Sequence, residues 1–418
     1  MQTAIYTLTS DLHDKTSVDA LTHNFLDSLG IDYQLHIADY SDYGQHDLDL
    51  IYVRTGGTEG IFKQLLPDLQ RKSHRPFYLL TSGMSNSLAA SMEILSFLRQ
   101  RGIGGEIIHG STAYVSRRVK LLATVGAALR RLRDTRLGIV GAPSDWLISS
   151  GVERTAVKER LGIELKDIPM EALLGAISGG LQEGVASQWK DQSEECADLS
   201  SAAAAAQECV RQAMPGAMQI YEGLKTVIAR YDLQGLTLRC FDLLTALHNT
   251  GCLALARLNA EGFVASCEGD MPAMLSMMIV RALTGVSGFQ ANPAAIDPET
   301  GEIVLAHCTI PFDMVDRYEL HTHFESGIGV AIRGYMNPGP VTIFKVSGYL
   351  TRCFIAEGEL VRSGAKPDLC RTQQVIRLAD KSQARYFLTD PIGNHHIVVP
   401  GHHREVLQQI MSAVPAWH

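Results

Sequence analysis

The sequence predicts an α/β protein built in several units, with parallel sheets under helices toward the N-terminus and a strand-rich unit toward the C-terminus. Three observations carry this. Short apolar runs alternate with helical stretches from residue 1 to about residue 130. A second strand-and-helix unit opens at Arg136. Beyond Asn292, runs of strand length are separated by Gly and Pro, the texture of an antiparallel barrel or sandwich. At 418 residues the chain is too long for one core, so two or three domains are expected.

The elements follow in order. Ala4–Leu8 reads as a strand, and Ser17–Leu29 as a helix stopped by Gly30. Leu48–Val53 and Phe77–Thr81 are further strands, each leading into a glycine-containing turn, 55–60 and 82–87. Neither turn fits a Walker or dinucleotide pattern, so both read as tight β-to-α connections. The following helix shows Leu88, Met92, Leu95 and Leu98 at the spacing of a buried face, with Gly102 as its stop. Leu137–Gly141 is the next strand, followed by the polar turn 142–145 and helices over 152–161 and 169–177. A long helix is predicted over 197–231, broken or kinked at Pro215-Gly216. These signals set boundaries at 1–134, 135–232 and 233–418. In the last unit, 303–306, 329–332, 341–346 and 386–388 read as strands.

Composition narrows the function. Hydrophobic residues make up 46% and charged residues 20%, as in a globular protein with sizeable cores. The net charge of −8, without a Lys/Arg block, speaks against nucleic acid or an anionic membrane as partner. The longest apolar runs, such as 271–280, are too short to span a bilayer, and the start reads as a strand rather than a signal peptide. A cytoplasmic location is the expectation. The eight cysteines form no CxxC pair and read as reduced, mostly buried thiols.

Chemistry concentrates in the last unit, where carboxylates and imidazoles suit a divalent cation. Glu268 and Asp270 follow a strand and precede an apolar helix, and would share one face if the strand ran through them. Asp270 sits where a helix cap is expected; Glu268 precedes that position. His307 ends an apolar strand, where a histidine is more often a satisfied core or edge residue than a ligand. Of His395 and His396, one must face each side of a strand. His321, His323 and Glu325 would share one strand face, as ligands or as a substrate-holding edge. His402 and His403 lie at a helix start and are unremarkable there.

In order, Cys267-Glu268-Gly269-Asp270 with its apolar helix to Gly285, the strand ending in His307, His323 before Gly327-Ile328-Gly329, and Gly393-Asn394-His395 resemble the C-terminal domain of the L-fucose and L-arabinose isomerases. The resemblance implies two Rossmann-like α/β domains followed by a C-terminal α+β domain with an antiparallel β-barrel. It implies a metal-dependent ketol-isomerase acting on a pentose, a 6-deoxyhexose or a modified hexose through an enediolate. The cation would be Mn²⁺, with Mg²⁺, Co²⁺, Fe²⁺ or Zn²⁺ as alternatives. Glu268, Asp270, His307 and His395 would be its ligands. Glu268 and Asp242 would transfer protons, and His323, Asn292 and Arg239 would bind substrate. A homo-oligomer, trimer or hexamer, in which a neighbour can complete the site is also implied. The sequence departs from the arabinose branch where a second catalytic glutamate is replaced by Phe289-Gln290-Ala291-Asn292. A lyase or epimerase of a sugar derivative, or a non-catalytic sugar-binding regulator on this scaffold, are the competing readings.

Overall fold

The structure, a computed structural model, describes residues 1–12, 14–179 and 201–413. Cys196 and the start of the predicted long helix lie outside them. The described chain forms two compact units, Met1–Arg131 with the chain end from Gln409, and Leu132–Gln408.

The first unit runs β1 (Thr3–Leu8), α1 (Lys15–Ser28), β2 (Gln34–Ile37), β3 (Leu48–Val53), α2 (Glu59–Lys72), β4 (Phe77–Leu80), α3 (Ser87–Arg99), β5 (Gly105–Ile108) and α4 (Thr112–Leu132). Its strands form a parallel sheet in the order β2-β1-β3-β4-β5. Strands covered on both faces read as continuous apolar runs, and β1, β3 and β4 are buried throughout. Tyr6, Ile51, Phe62 and Phe77 fill one face, and Ile5, Leu50, Tyr52 and Leu80 the other. The buried stripe of α3 is Ser87, Ala90, Ser91, Ile94 and Leu98, whereas Met92 is 60% exposed. The helix is turned toward its small residues because Ser87 is tied down by Thr81 Oγ1, 2.7 Å away.

The second unit opens with β6 (Arg136–Val140), α5 (Arg154–Leu161), β7 (Glu164–Ile168), α6 (Met170–Gly179), α7 (Ser201–Tyr231), β8 (Gly235–Leu238), α8 (Asp242–Leu247), α9 (Cys252–Ala260), β9 (Val264–Cys267) and α10 (Met271–Thr284). Its parallel sheet has the order β7-β6-β8-β9. This sheet crosses residue 232: β8 pairs with β6 on one side and β9 on the other, so β8 and β9 complete the sheet begun by β6 and β7. α7 runs unbroken through Pro215-Gly216, against expectation. Its face of Ala217, Ile220, Tyr221 and Leu224 is buried, and that packing overrides the proline. Gly216 serves a close approach, since a Cβ there would stand 2.6 Å from Asn249 Nδ2, which donates to Ala213 O at 2.8 Å.

The chain continues through β10 (Phe289–Asp297), β11 (Glu302–His307), β12 (Arg317–His321), β13 (Ala331–Tyr335), β14 (Gly339–Val346), β15 (Cys353–Gly364), β16 (Thr372–Leu378), α11 (Tyr386–Thr389), β17 (His396–Pro400) and α12 (Arg404–Ala413). Six of these strands close an antiparallel barrel, β10-β11-β16-β15-β14-β17, and β12 and β13 form a hairpin. The predicted strand at 386–388 is the helix α11. Tyr386 stacks on Phe354 with ring centroids 3.7 Å apart, and Phe387 packs edge-on to it, so tertiary packing decides over aromatic strand propensity. Strand β12 stops at His321, which leaves His323 and Glu325 in the turn beyond it rather than on one strand face. Among the described residues, no helix is long and apolar enough to cross a membrane.

Candidate metal centre and cavity

The site forms where β8 and β9 end side by side, Leu238 beside Cys267, the edge of a parallel sheet at which ligands characteristically bind. Between β9 and α10 the chain turns within three residues. Glu268 (φ 65°) and Gly269 (φ 71°) are both left-handed. At Gly269 only glycine fits, because a Cβ would lie 2.4 Å from Ala142 O. The turn is pinned by Ser144 N donating to Glu268 O (2.9 Å) and Gly269 N donating to Leu238 O (3.0 Å).

This turn sends the two acids to opposite sides of His395. Asp270, fully buried, caps α10 by accepting from Ala273 N at 2.7 Å. Its other oxygen lies 2.8 Å from His395 Nδ1 and 3.6 Å from Lys345 Nζ. Glu268 Oε1 lies 3.5 Å from His395 Nε2 and 3.4 Å from His307 Nε2. Its Oε2 accepts from Trp146 Nε1 at 2.8 Å. Asp270 holds Nδ1 of His395, so Nε2 is the nitrogen turned toward Glu268 and His307. His395 Nε2 is buried and has no hydrogen-bond partner.

Glu268, His307 and His395 therefore offer one oxygen and two nitrogens, all within 4.8 Å of one another. Ligands bound at about 2.1 Å in tetrahedral geometry stand ~3.4 Å apart, which matches the two separations of 3.4 and 3.5 Å. The orphaned nitrogen, the carboxylate and the two imidazoles fit a divalent cation of the first transition row. Asp270 lies behind His395, where it holds the ring through Nδ1 and caps α10.

Charge follows from these contacts. Burial would raise the Glu268 carboxyl, but the contacts with His307 and His395 hold it well below the carboxylate range. Burial would lower His395, but its bond to Asp270 and the nearby Glu268 carboxylate raise it to about 9, so without a cation its ring carries a proton on each nitrogen, and a cation would displace the one on Nε2. His307 is lowered, chiefly by burial. Burial would raise Asp270, but the Lys345 ammonium and His395 bring it down to about 2. A depressed carboxyl stabilises the fold above its unfolded pKa, ~3.9 for Asp, and that stabilisation is lost as pH falls through the folded value. Chelator-treated protein should lose this contribution between about pH 4 and about 2. Denaturant titrations across that window should show a steeper fall for the parent than for Asp270→Asn; parallel curves would refute the assignment.

Glu268 and His307 line a cavity of about 360 Å³, whose polar lining adds Asn292, His323, Glu325 and Asn394, with Trp146 and Phe241 also on its wall. The Asn292 Oδ1 is buried without a partner, an acceptor available to a ligand hydroxyl. His323 lies edge-on to Phe241 and bonds Ser326 Oγ through Nδ1 at 3.1 Å; burial takes it down to about 4. Five thiols also line the space, Cys240, Cys252, Cys267, Cys308 and Cys370, with Cys240 and Cys267 Sγ atoms 3.1 Å apart.

Two expected residues do not join this set. Asp242, in the first turn of α8, pairs with Arg239 Nε at 3.0 Å and is absent from the cavity wall. Arg239 also holds Asp145 at 3.0 Å and Pro143 O at 2.5 Å. Three residues apart at a strand-to-helix junction, the two charges neutralise each other, and Arg239 braces the turn that carries Trp146. His321 faces Glu319 at 3.1 Å, and His402 is 67% exposed. Trp146 and the thiols were not singled out by sequence. The only cue for Trp146 was its place just after the C-terminal end of a parallel strand.

No family model matches the chain. It is similar to curated proteins named sulfoquinovose isomerase. Those of Priestia aryabhattai and Priestia megaterium are 25% identical over 271 residues, covering 63% of this chain and 59% of theirs. One from Clostridium sp. is 29% identical over 188 residues, covering 42% of this chain and 38% of its own. The match spans about three-fifths of the length of the first two relatives. Its named relatives are thus sugar isomerases, at a distance that leaves the fold and the cavity to carry the functional argument.

Proposed function

We propose that the chain is a metal-dependent aldose–ketose isomerase acting on a modified hexose through an enediolate. The observation that carries this is the convergence of Glu268 Oε1, His307 Nε2 and His395 Nε2 beneath a cavity of about 360 Å³. That volume lies within the range of roughly 300–1,000 Å³ typical of small-molecule sites. A divalent cation, with Mn²⁺ the first to try, would supply positive charge against the developing enediolate oxygens. The relatives' name makes sulfoquinovose the first substrate to test.

The chain's own residues divide the remaining work. Both Glu268 oxygens are engaged, one toward the two imidazoles and one by Trp146. Glu325 is the other carboxylate on the cavity wall, so it takes the proton from one sugar carbon and returns it to the neighbouring one. It replaces Asp242 in the role expected from sequence. Asn292 Oδ1 accepts from a sugar hydroxyl, and His323, neutral at ordinary pH, orients another.

Protein loaded with Mn²⁺ should wash solvent deuterium into C1 or C2 of sulfoquinovose or of a sugar in an aldose and ketose panel. Glu325→Gln should lower that exchange by about 10²- to 10⁴-fold while keeping the metal content of the parent. No exchange across the panel, with a sugar-dependent rise in Tm, would instead identify a binding protein. Unchanged exchange in the variant would remove Glu325 from proton transfer.

A further inference from the structure

The first unit holds a second cluster of imidazoles and carboxylates that the isomerase reading does not use. His36 lies in β2, Asp42 and His46 lie in the connection to β3, and Asp49 is in β3. One carboxylate of Asp42 spans both rings: Oδ1 is 3.6 Å from His36 Nδ1, and Oδ2 is 3.6 Å from His46 Nε2. All three residues offer ligand atoms within 4.8 Å of one another.

Asp49, its side chain 6% exposed, lies 3.0 Å from His46 Nδ1 and accepts its proton. The Tyr6 hydroxyl lies 3.0 Å from Asp42 Oδ1 and 3.2 Å from both His46 Nδ1 and Asp49 Oδ1, so it ties the cluster to β1. With Nδ1 of His46 turned to Asp49, Nε2 is the nitrogen that faces Asp42 Oδ2. The two observed separations of 3.6 Å are too long for hydrogen bonds and close to the spacing of two ligands on one metal. His36 is held flat against Tyr6, with ring centroids 4.7 Å apart. The neighbouring cations face elsewhere: Lys72 binds Tyr40 O and Asp68, and Arg75 binds the backbone oxygens of His46 and Asp47. The carboxylates of Asp42 and Asp49 give the pocket its oxygen donors.

We propose that His36, Asp42 and His46 form a second divalent-metal site, of the two-histidine, one-carboxylate kind, with Asp49 fixing the tautomer of His46. Such a donor set takes Zn²⁺, Co²⁺ or Fe²⁺ rather than Mg²⁺ or Ca²⁺. It would join the β2–β3 connection to the sheet edge as a structural site, independent of the cavity in the second unit.

The test uses the full chain, stripped with chelator and titrated with Co²⁺ while visible absorption and bound metal are followed. The parent should bind two equivalents. Asp42→Asn and His36→Gln should each weaken one equivalent at least tenfold, shift the Co²⁺ spectrum and leave sugar exchange unchanged. Glu268→Gln should remove the other equivalent. Because His36 is the outermost imidazole of the set, His36→Gln keeps the test alive if Asp42→Asn fails to fold. Equal stoichiometry and spectra in the parent, Asp42→Asn and His36→Gln would overturn the site, whatever the outcome for Glu268.

Discussion

Glu268→Gln should lower turnover by about 10³-fold or more and deplete the second unit of its metal, while leaving the fold intact. The substitution preserves shape. The amide oxygen can still accept from Trp146 Nε1, which lies 2.8 Å from Oε2. What disappears is the negative charge that His307 and His395 share at 3.4 and 3.5 Å. Two neutral nitrogens without an anionic oxygen hold a divalent ion poorly, and a cation that does bind sits without its counter-charge. The side chain lines the cavity rather than the barrel core, so unfolding is not the expected route to inactivity. Metal analysis, steady-state rates and circular dichroism on one preparation separate the possibilities. Parent-like turnover would remove Glu268 from the mechanism.

The largest effect on stability should come from Asp270. Asp270→Asn keeps a competent helix cap, because asparagine caps nearly as well as aspartate. It removes the charge that faces Lys345, whose side chain is 1% exposed inside the barrel. Leaving one member of a buried ion pair uncompensated costs about 3–5 kcal/mol. For a unit of this size that corresponds to a Tm lower by roughly 10 °C. A double variant, Asp270→Asn with Lys345→Met, should recover most of the loss, because both charges are then gone. Denaturant unfolding of the three proteins forms the cycle. An additive double variant would show that Lys345 and Asp270 do not act as a pair. Metal affinity should also fall by about 10- to 100-fold in Asp270→Asn, since His395 loses the group that fixes its tautomer.

These two neighbours show what sequence can and cannot convey. The strand-to-helix switch, the cap position of Asp270 and the peculiarity of Glu268 were legible from local pattern alone. So were the parallel strands, because strands covered on both faces are written as unbroken apolar runs. The closure of the C-terminal strands into a barrel was expected from the family resemblance instead, since barrel and sandwich share one local texture. The cavity wall draws on residues from 146 to 394, and no local rule brings Trp146 to Glu268. The pairing of Asp242 with Arg239, off the cavity wall, was not legible, because spacing records the acid and not the arginine beside it. Glu325 was assigned to a strand that ends four residues earlier, yet it reaches the cavity from the turn.

The left-handed backbone of Glu268 has an evolutionary consequence. A non-glycine residue held at φ 65° costs about 1–2 kcal/mol relative to glycine in the same geometry. Fold and chemistry therefore pull this position in opposite directions. A library screened for thermal tolerance alone would drift toward glycine at 268 and yield sturdier, inert proteins. Under selection for turnover the glutamate is retained against its own conformational preference. The choice of residue at 268 thus records which of the two pressures a lineage of this fold has experienced.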